Sequence, residues 1–306
     1  MARLDPSELY DLEPNRPDLT GTVLLHALDG FVDAGSATRL ASAHLLEVLE
    51  STVVARFDVD QLHDYRARRP PMQFAGDHWE AYEAPQLVVH LLHDDGGTPF
   101  LLMTGPEPDV QWDRFVEAVR LLVVQLGVRL TIGLNAIPMS LPHTRPTGVL
   151  AHATRAELVE SYEAWVGEVT VPGSAAQLIE FRFGEAGLDA MGFAAHVPHY
   201  VAQTEFPAAS VALLQEIGSA TGLLLPTAAL EASAAETRIA IDEQVARSEE
   251  VQAVVRALEE QYDSFVAGRG RSLLATEGDL PSADELGAEL ERFLAEQSPG
   301  ADGPPV

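Results

Sequence analysis

The 306-residue chain contains no cysteine and no lysine. Without cysteine, disulfides, zinc–thiolate centres and thiol nucleophiles are excluded together. All 19 basic side chains are arginine. A P-loop lysine, a Schiff-base lysine and a lysine general base are therefore excluded too, and with them Walker-type nucleotide hydrolysis, pyridoxal-phosphate chemistry and class I aldolase chemistry. Long apolar runs are also missing: residues 121–124 and 87–89 fall far short of the roughly 20 residues a membrane-spanning helix needs. No basic segment followed by an apolar stretch opens the chain, so no export signal is read there and a cytoplasmic protein is expected.

Positive charge is scarce. Against those 19 arginines stand 47 acids, a formal charge of −28. Nucleic-acid and anionic-membrane binding need clustered cations to neutralise phosphate, so neither is expected. An acidic surface favours solubility and suits a basic partner face. The one concentration of positive charge, Arg66, Arg68 and Arg69, reads as a solvated loop, or as a site for an anion or for the acids of a neighbouring subunit.

What is present is α/β patterning. Residues 24–35, LLHALDGFVDAG, run an apolar strand into a loop holding two acids and two glycines, and residues 36–50 then carry a helical apolar face. That is the opening of a βαβ unit. Further strands are predicted over residues 52–59, 86–92, 100–104, 128–137 and 190–201, and helices over about 112–126, 173–188 and 207–222. Residues 1–20 read as an extended arm, and residues 65–76, with three arginines and two prolines, as an ordered loop. From Thr227 strand signals vanish, and apolar residues from Leu230 to Phe265 recur every three or four positions. This predicts one amphipathic helix of about 38 residues, roughly 57 Å long. A shorter helix is predicted over 283–295. The expected division is an α/β core over 1–226, a helical extension over 227–297 and a disordered tail over 298–306.

Polar residues gather where the predicted strands end: Asp29 and Asp33, Asp58 and Asp60, Gly105 and Glu107, Asn135 and His143, His196 and His199. If the strands are parallel these exits share one edge of the sheet, where α/β folds place ligands. Carboxylates, an amide and imidazoles there suit proton transfer or hydrogen bonding to a polar ligand. The plainer reading makes Asp33 and Ser36 caps of the first helix, Asp109 a cap of the second and the histidines ordinary loop residues. Trp112 and Trp165 read as packing residues. His196 and His199 have metal-like spacing, but Pro198 between them forbids a regular helix and no third ligand is fixed, so no metal and no cofactor are expected. Ser36 and Ser140 lack the G-x-S-x-G setting of a serine nucleophile.

Four motifs in order resemble one family: HALDGFVDAGSA at 26–37, DYRARRPPMQF at 64–74, GPEPD at 105–109 and NAIPMSLPHTRP at 135–146. Together they are similar to the bacterial branch of the proteasome assembly chaperone 2 family, over about residues 1–265. The resemblance implies a three-layer α/β/α fold with a mostly parallel sheet, related to the phosphorylase and hydrolase architecture, often in symmetric oligomers, with activity unassigned in this branch. Family members that dock on the proteasome core use a C-terminal hydrophobic-Tyr-X tail, whereas this sequence reads Gly303, Pro304, Pro305, Val306. An ATP-grasp activity, a label attached to relatives, fits poorly with the missing lysines.

Two functional readings follow. One is a non-catalytic, chaperone-like interaction protein, homo-oligomeric, that presents its acidic helices and sheet edge to a proteasome-related partner. The other is a small-molecule enzyme or sensor using the sheet-edge cleft on a nucleoside-like or other polar ligand, with Asp29 and Asp33 as acid and base and His143 or His196 assisting.

Overall fold

Eight strands form one mixed sheet in the order β1-β3-β6-β7-β2-β8-β10-β9, described by a computed structural model covering residues 4–30, 32–162 and 168–268. The four central strands, β7 (Pro99–Pro106), β2 (Val23–Asp29), β8 (Leu130–Met139) and β10 (Ala190–Pro198), run parallel. Antiparallel β6 (Val88–His93) flanks β7, and β3 (Ser51–Phe57) pairs antiparallel with β6, so β3 runs with the central four. Edge strands β1 (Tyr10–Leu12) and β9 (Val149–Ala153) pair antiparallel with β3 and β10. The N-terminal arm is thus partly tied into the sheet, and β9 is a strand without a sequence signal.

Strand β2 reads VLLHALD because it is buried on both faces, as parallel strands covered by helices are. Val23, Leu25 and Ala27 enter the core beneath α1 (Ala37–Val48), α4 (Pro207–Thr221) and α5 (Ala228–Ala246), while Leu24 and Leu28 enter the core beneath α2 (Trp112–Leu126) and α3 (Ala175–Glu185). This is the expected three-layer α/β/α architecture. Helix ends follow local chemistry. Gly127 closes α2 at φ +68°, donating to the Val123 and Val124 carbonyls, and Ser174 with Gln177 forms a reciprocal capping box at the start of α3.

Two expectations are corrected. Residues 65–76 are not all loop: β4 (Met72–Ala75) pairs with β5 (His78–Tyr82) in a separate two-stranded ribbon, turned at Gly76 with φ +61°. A two-residue hairpin turn needs a positive φ at its first central position, which glycine adopts at no steric cost. The 38-residue helix is in fact two, α5 and α6 (Glu249–Gly268), broken at Arg247 and Ser248. In a straight helix Asp242 and Asp263 would lie about 32 Å apart. Yet they bond to His143 and Arg145, two positions apart in the chain, so the segment must bend. Among the described residues no helix is long and apolar enough to cross a membrane. The helix predicted over 283–295, the tail over 298–306 and Trp165 lie outside the described residues.

Candidate functional site at the carboxyl edge of the sheet

The parallel register brings the predicted polar exits to one edge. Asp29 pairs with Pro106 on β7, His26 with Gly133 on β8, and Ile137 of β8 with His196 on β10. Asp29 and His196 therefore lie at nearly the same height, at the ends of two strands that flank β8. Along that edge the residues fall into three groups.

The first surrounds β2. Asp33 accepts from the backbone N–H of Thr38 at 2.8 Å and of Arg39 at 3.1 Å, so it caps α1 as the plainer reading predicts. Ser36 makes no capping side-chain bond. Gly35 between them, at φ +66°, is held close to Phe206: a Cβ there would lie 2.7 Å from the Phe206 Cβ. Glu107 accepts from the Ala175 N–H at the start of α3, and its backbone carbonyl accepts from Arg68. Asp109 does not cap α2. It accepts from the Asp64 N–H at 2.6 Å and pairs with Arg68 at 2.8 Å, which holds its carboxyl below the usual range against the opposing effect of burial. Asp29 alone in this group keeps a solvent-reached carboxylate without a hydrogen-bond partner among the described residues. Desolvation and the neighbouring Asp33 push it above the ordinary range, opposed by Arg39 and Arg68.

The second group joins the sheet to the C-terminal helices. The His143 side chain is 1% exposed and both ring nitrogens are engaged: Nδ1 with the Tyr200 hydroxyl at 2.7 Å and Nε2 with Asp242 Oδ1 at 3.0 Å. One arrangement satisfies every atom: Nε2–H donates to Asp242, Nδ1 accepts from Tyr200 O–H, and the Tyr200 oxygen accepts from the His143 backbone N–H at 2.7 Å. Burial raises the Tyr200 phenol to about 12. Beside it Thr144 donates to Glu259, and Arg145 grips Asp263 with two bonds of 2.8 and 2.6 Å. His143, expected as a proton-transfer group, is a clamp between the sheet edge and α5–α6. His199 packs edge-on against Tyr200, centroids 5.4 Å apart, and burial lowers its pKa with the Met139 carbonyl opposing. His196 lies against Gly148, where a Cβ would sit 3.0 Å from its Nδ1; its Nε2 has no partner among the described residues and burial lowers its pKa. Asn135 accepts from the N–H of Ala136, the next residue.

The third group lines a cleft of about 530 Å³ at the end of β3. Asp58 accepts from the Gln61 amide at 2.7 Å, and Asp60 accepts from the Tyr65 hydroxyl at 2.5 Å, a bond that raises the Tyr65 pKa strongly. Arg56, Tyr65, Tyr82 and Gln86 complete the polar lining. Of the ten predicted edge residues only Asp58 and Asp60 line it. Gly105 belongs to the scaffold: at φ +137° its position leaves no room for a side chain, since a Cβ would fall 2.1 Å from the Gln86 carbonyl oxygen. The three arginines separate as well, Arg68 being bound inward while Arg66 and Arg69 are exposed.

A polar row also lies deeper on the α3 face. His26, Gly133, Gly192 and His152 are successive register partners across β2, β8, β10 and β9. The His26 ring covers Gly133 and the His152 ring covers Gly192, with His152 bonded to Glu180 of α3 at 2.9 Å. His26 is 2% exposed, its Nδ1 has no partner among the described residues, and burial, with a smaller effect of His152, lowers its pKa to about 4. Sequence spacing gave no sign of this row, nor of Tyr200 and Asp242 as partners of His143, because all are contacts across strands or between distant segments. The ribbon was within reach of the sequence, through the Gly-Asp turn at 76–77.

Comparison with known proteins agrees with this architecture. A crystal structure of a Mycobacterium tuberculosis protein of unknown function superposes with a TM-score of 0.82 at 47% identity, covering 88% of this chain and 94% of that one. A proteasome-assembly chaperone homologue from the same organism matches at 27% identity and TM-score 0.71, covering 76% of this chain and 100% of its own. A PAC2 family protein from Streptomyces avermitilis matches at 26% identity and TM-score 0.68, covering 76% and 99%. No curated protein matches significantly. The PAC2 family model matches residues 27–245, from the second half of β2 nearly to the end of α5. With the central sheet, the clamp and most of the helical layers inside that span, the chain belongs to the PAC2 family.

Proposed function

We propose that this protein works as a non-catalytic, proteasome-assembly-type interaction protein that holds a protein partner on its sheet edge and acidic helices. The observation that carries this reading is how the edge groups are used. Asp33, Glu107, Asp109 and His143, the residues best suited by type to acid–base chemistry, are each spent on a cap, an ion pair or a clamp. A general base must be free to meet a substrate proton. What remains for recognition is the face of α5 and α6, where, besides Asp242, Glu259 and Asp263 in the clamp, six acids stand against three arginines in residues 228–268. Similarity to a proteasome-assembly chaperone homologue supports a proteasome-related partner.

The test is to mix the purified chain with proteasome core α- and β-subunits from its own host and follow assembly by native gel and size exclusion. A complex with unassembled subunits and faster appearance of peptidase activity are expected. Failure to bind any subunit, with assembly kinetics unchanged, would refute the reading.

A second reading, a polar small-molecule site, has Asp29 in its favour, as the accessible carboxylate with a raised pKa beside Arg39 and Arg68. A thermal-shift screen with nucleosides and polar metabolites tests it. A hit that persists in Asp29→Asn removes Asp29 from that role.

A further inference from the structure

The cleft at the end of β3 is built on a single turn, Val59–Gln61, and Asp29 is not among the residues that line it. Backbone bonds fix that turn. Phe57 N–H donates to the Leu87 carbonyl at 2.9 Å, Asp58 N–H to that of Leu9 at 2.8 Å, and Leu62 N–H to that of Val59 at 2.9 Å. Val59 is buried while Asp58 and Asp60 on either side of it are exposed, so two carboxylates are held out above an apolar base that Val59 shares with the buried Leu87. The rest of the lining comes mainly from residues 82–88, with Tyr82 half-exposed at their start. At about 530 Å³ the space falls within the range of small-molecule sites, about 300–1,000 Å³.

Both carboxylates have capacity left. Asp58 Oδ2 accepts from the Gln61 amide and Asp60 Oδ1 from the Tyr65 hydroxyl, while Asp58 Oδ1 and Asp60 Oδ2 accept from no group among the described residues. The bond to Asp60, with Tyr82 adding to its effect, raises the Tyr65 pKa and keeps that phenol neutral. The lining holds one cation, Arg56, whose Nε lies 3.9 Å from Glu13, so the lining as a whole is negative and suits no anion. Free carboxylate oxygens beside tyrosine rings and an apolar base match a charged group that donates hydrogen bonds, stacks on aromatic faces and carries an aliphatic body. A guanidinium has all three properties, and an ammonium shares the charge and the donors.

We propose that this cleft binds a small organic cation, a guanidinium or ammonium group on a short aliphatic body. Asp58 and Asp60 accept from its charged end, the rings of Tyr65 and Tyr82 lie alongside, and Val59 and Leu87 meet the aliphatic part. The site is separate from the surface offered to a protein partner and goes beyond that reading.

Isothermal titration of the full chain with butylguanidinium tests this, with butylurea, its neutral counterpart of nearly the same shape, as the comparison. No proteasome subunit is present, so the result is independent of the function proposed above. Saturable binding of butylguanidinium at one site, of about millimolar affinity or better, is expected, and no binding of butylurea. Asp58→Asn/Asp60→Asn should weaken binding by at least about tenfold, and Tyr82→Leu by about threefold or more. Glu236→Gln/Glu243→Gln removes the same charge from exposed positions on α5 and should bind like the wild type, which separates this site from the general attraction of a chain of charge −28. Circular dichroism checks that each variant folds, and if the aspartate pair does not, Tyr82→Leu and butylurea decide. No saturable heat in the millimolar range, butylurea binding as tightly, equal losses in the two acid pairs, or Tyr82→Leu binding like the wild type would each overturn the proposal.

Discussion

Replacing Gly133 by alanine is expected to destabilise the protein more than replacing Gly192, although the nearer clash is at Gly192. An alanine Cβ would lie 2.7 Å from His26 Cε1 at position 133 and 2.3 Å from His152 Cε1 at position 192. Neither distance is tolerable, so one imidazole must move in each variant. His26 is 2% exposed and walled in by the α2–α3 core, whereas the His152 side chain is 43% exposed and has solvent beside it. Overpacking a closed site costs about 1–3 kcal/mol. The smaller entropy of an alanine-bearing unfolded chain returns about 0.4–1 kcal/mol. Gly133→Ala should therefore lose about 1–2 kcal/mol net, lowering Tm by about 2–3 °C for a chain of this size. At Gly192 the His152 ring swings outward and gives up its contact with Glu180, a half-buried pair of about 1 kcal/mol. The same entropy gain offsets that, leaving Gly192→Ala within about 0.5 kcal/mol of wild type. Urea unfolding at constant m value reads both differences. His26→Ala in the Gly133→Ala background should cost less than the sum of the single changes, since the ring that clashes is gone. If Gly192→Ala proves the more damaging, or the His26 double variant is additive, the account of these rings is wrong.

The same histidine sets an acid limit. His26 has a folded pKa of about 4 against an ordinary 6.5, so the unfolded chain binds its proton first as the pH falls. Its contribution is complete above pH 6.5 and is lost between 6.5 and about 4, up to about 3 kcal/mol. His26→Leu should remove most of that part of the stability difference between pH 7 and pH 4.5, measured by urea unfolding at both; an undiminished difference would place the titration elsewhere. At the clamp, His143→Ala is expected to lose about 2–4 kcal/mol by leaving a cavity and stripping Tyr200 and Asp242 of a partner. Asp242→Asn keeps an acceptor for Nε2–H and should lose under about 1 kcal/mol, so equal effects in thermal melts would contradict the tautomer assigned to His143.

The parallel core was readable because its signals are local: near-continuous apolar runs for β2 and β8, a glycine stop after α2, and acids and glycines at strand exits. The placement of Asp29 and His196 at one edge follows from strand direction alone. Side-chain employment was not readable. Whether Asp33 faces a ligand or two backbone N–H groups depends on the angle at which α1 leaves the strand, and whether His143 is free depends on Asp242, 99 residues away. The straight helix failed for a related reason. Helical periodicity runs through residues 245–251 almost undisturbed, while the bend is imposed by tertiary bonds from Thr144 and Arg145 to Glu259 and Asp263. Strand β9 is short and packs as an edge, so its pattern carries little weight against a loop.

The break at Arg247 and Ser248 changes what shape the acidic helices offer to the world. An unbroken rod would act as a pole, carrying its far tip some five or six nanometres from its base and swinging freely as a lever. Bent and pinned at Asp242, Glu259 and Asp263, it becomes a bracket bolted to the rim, so dyes placed at Ser233 and Ser264 should sit well inside the roughly 47 Å that a straight helix would put between them.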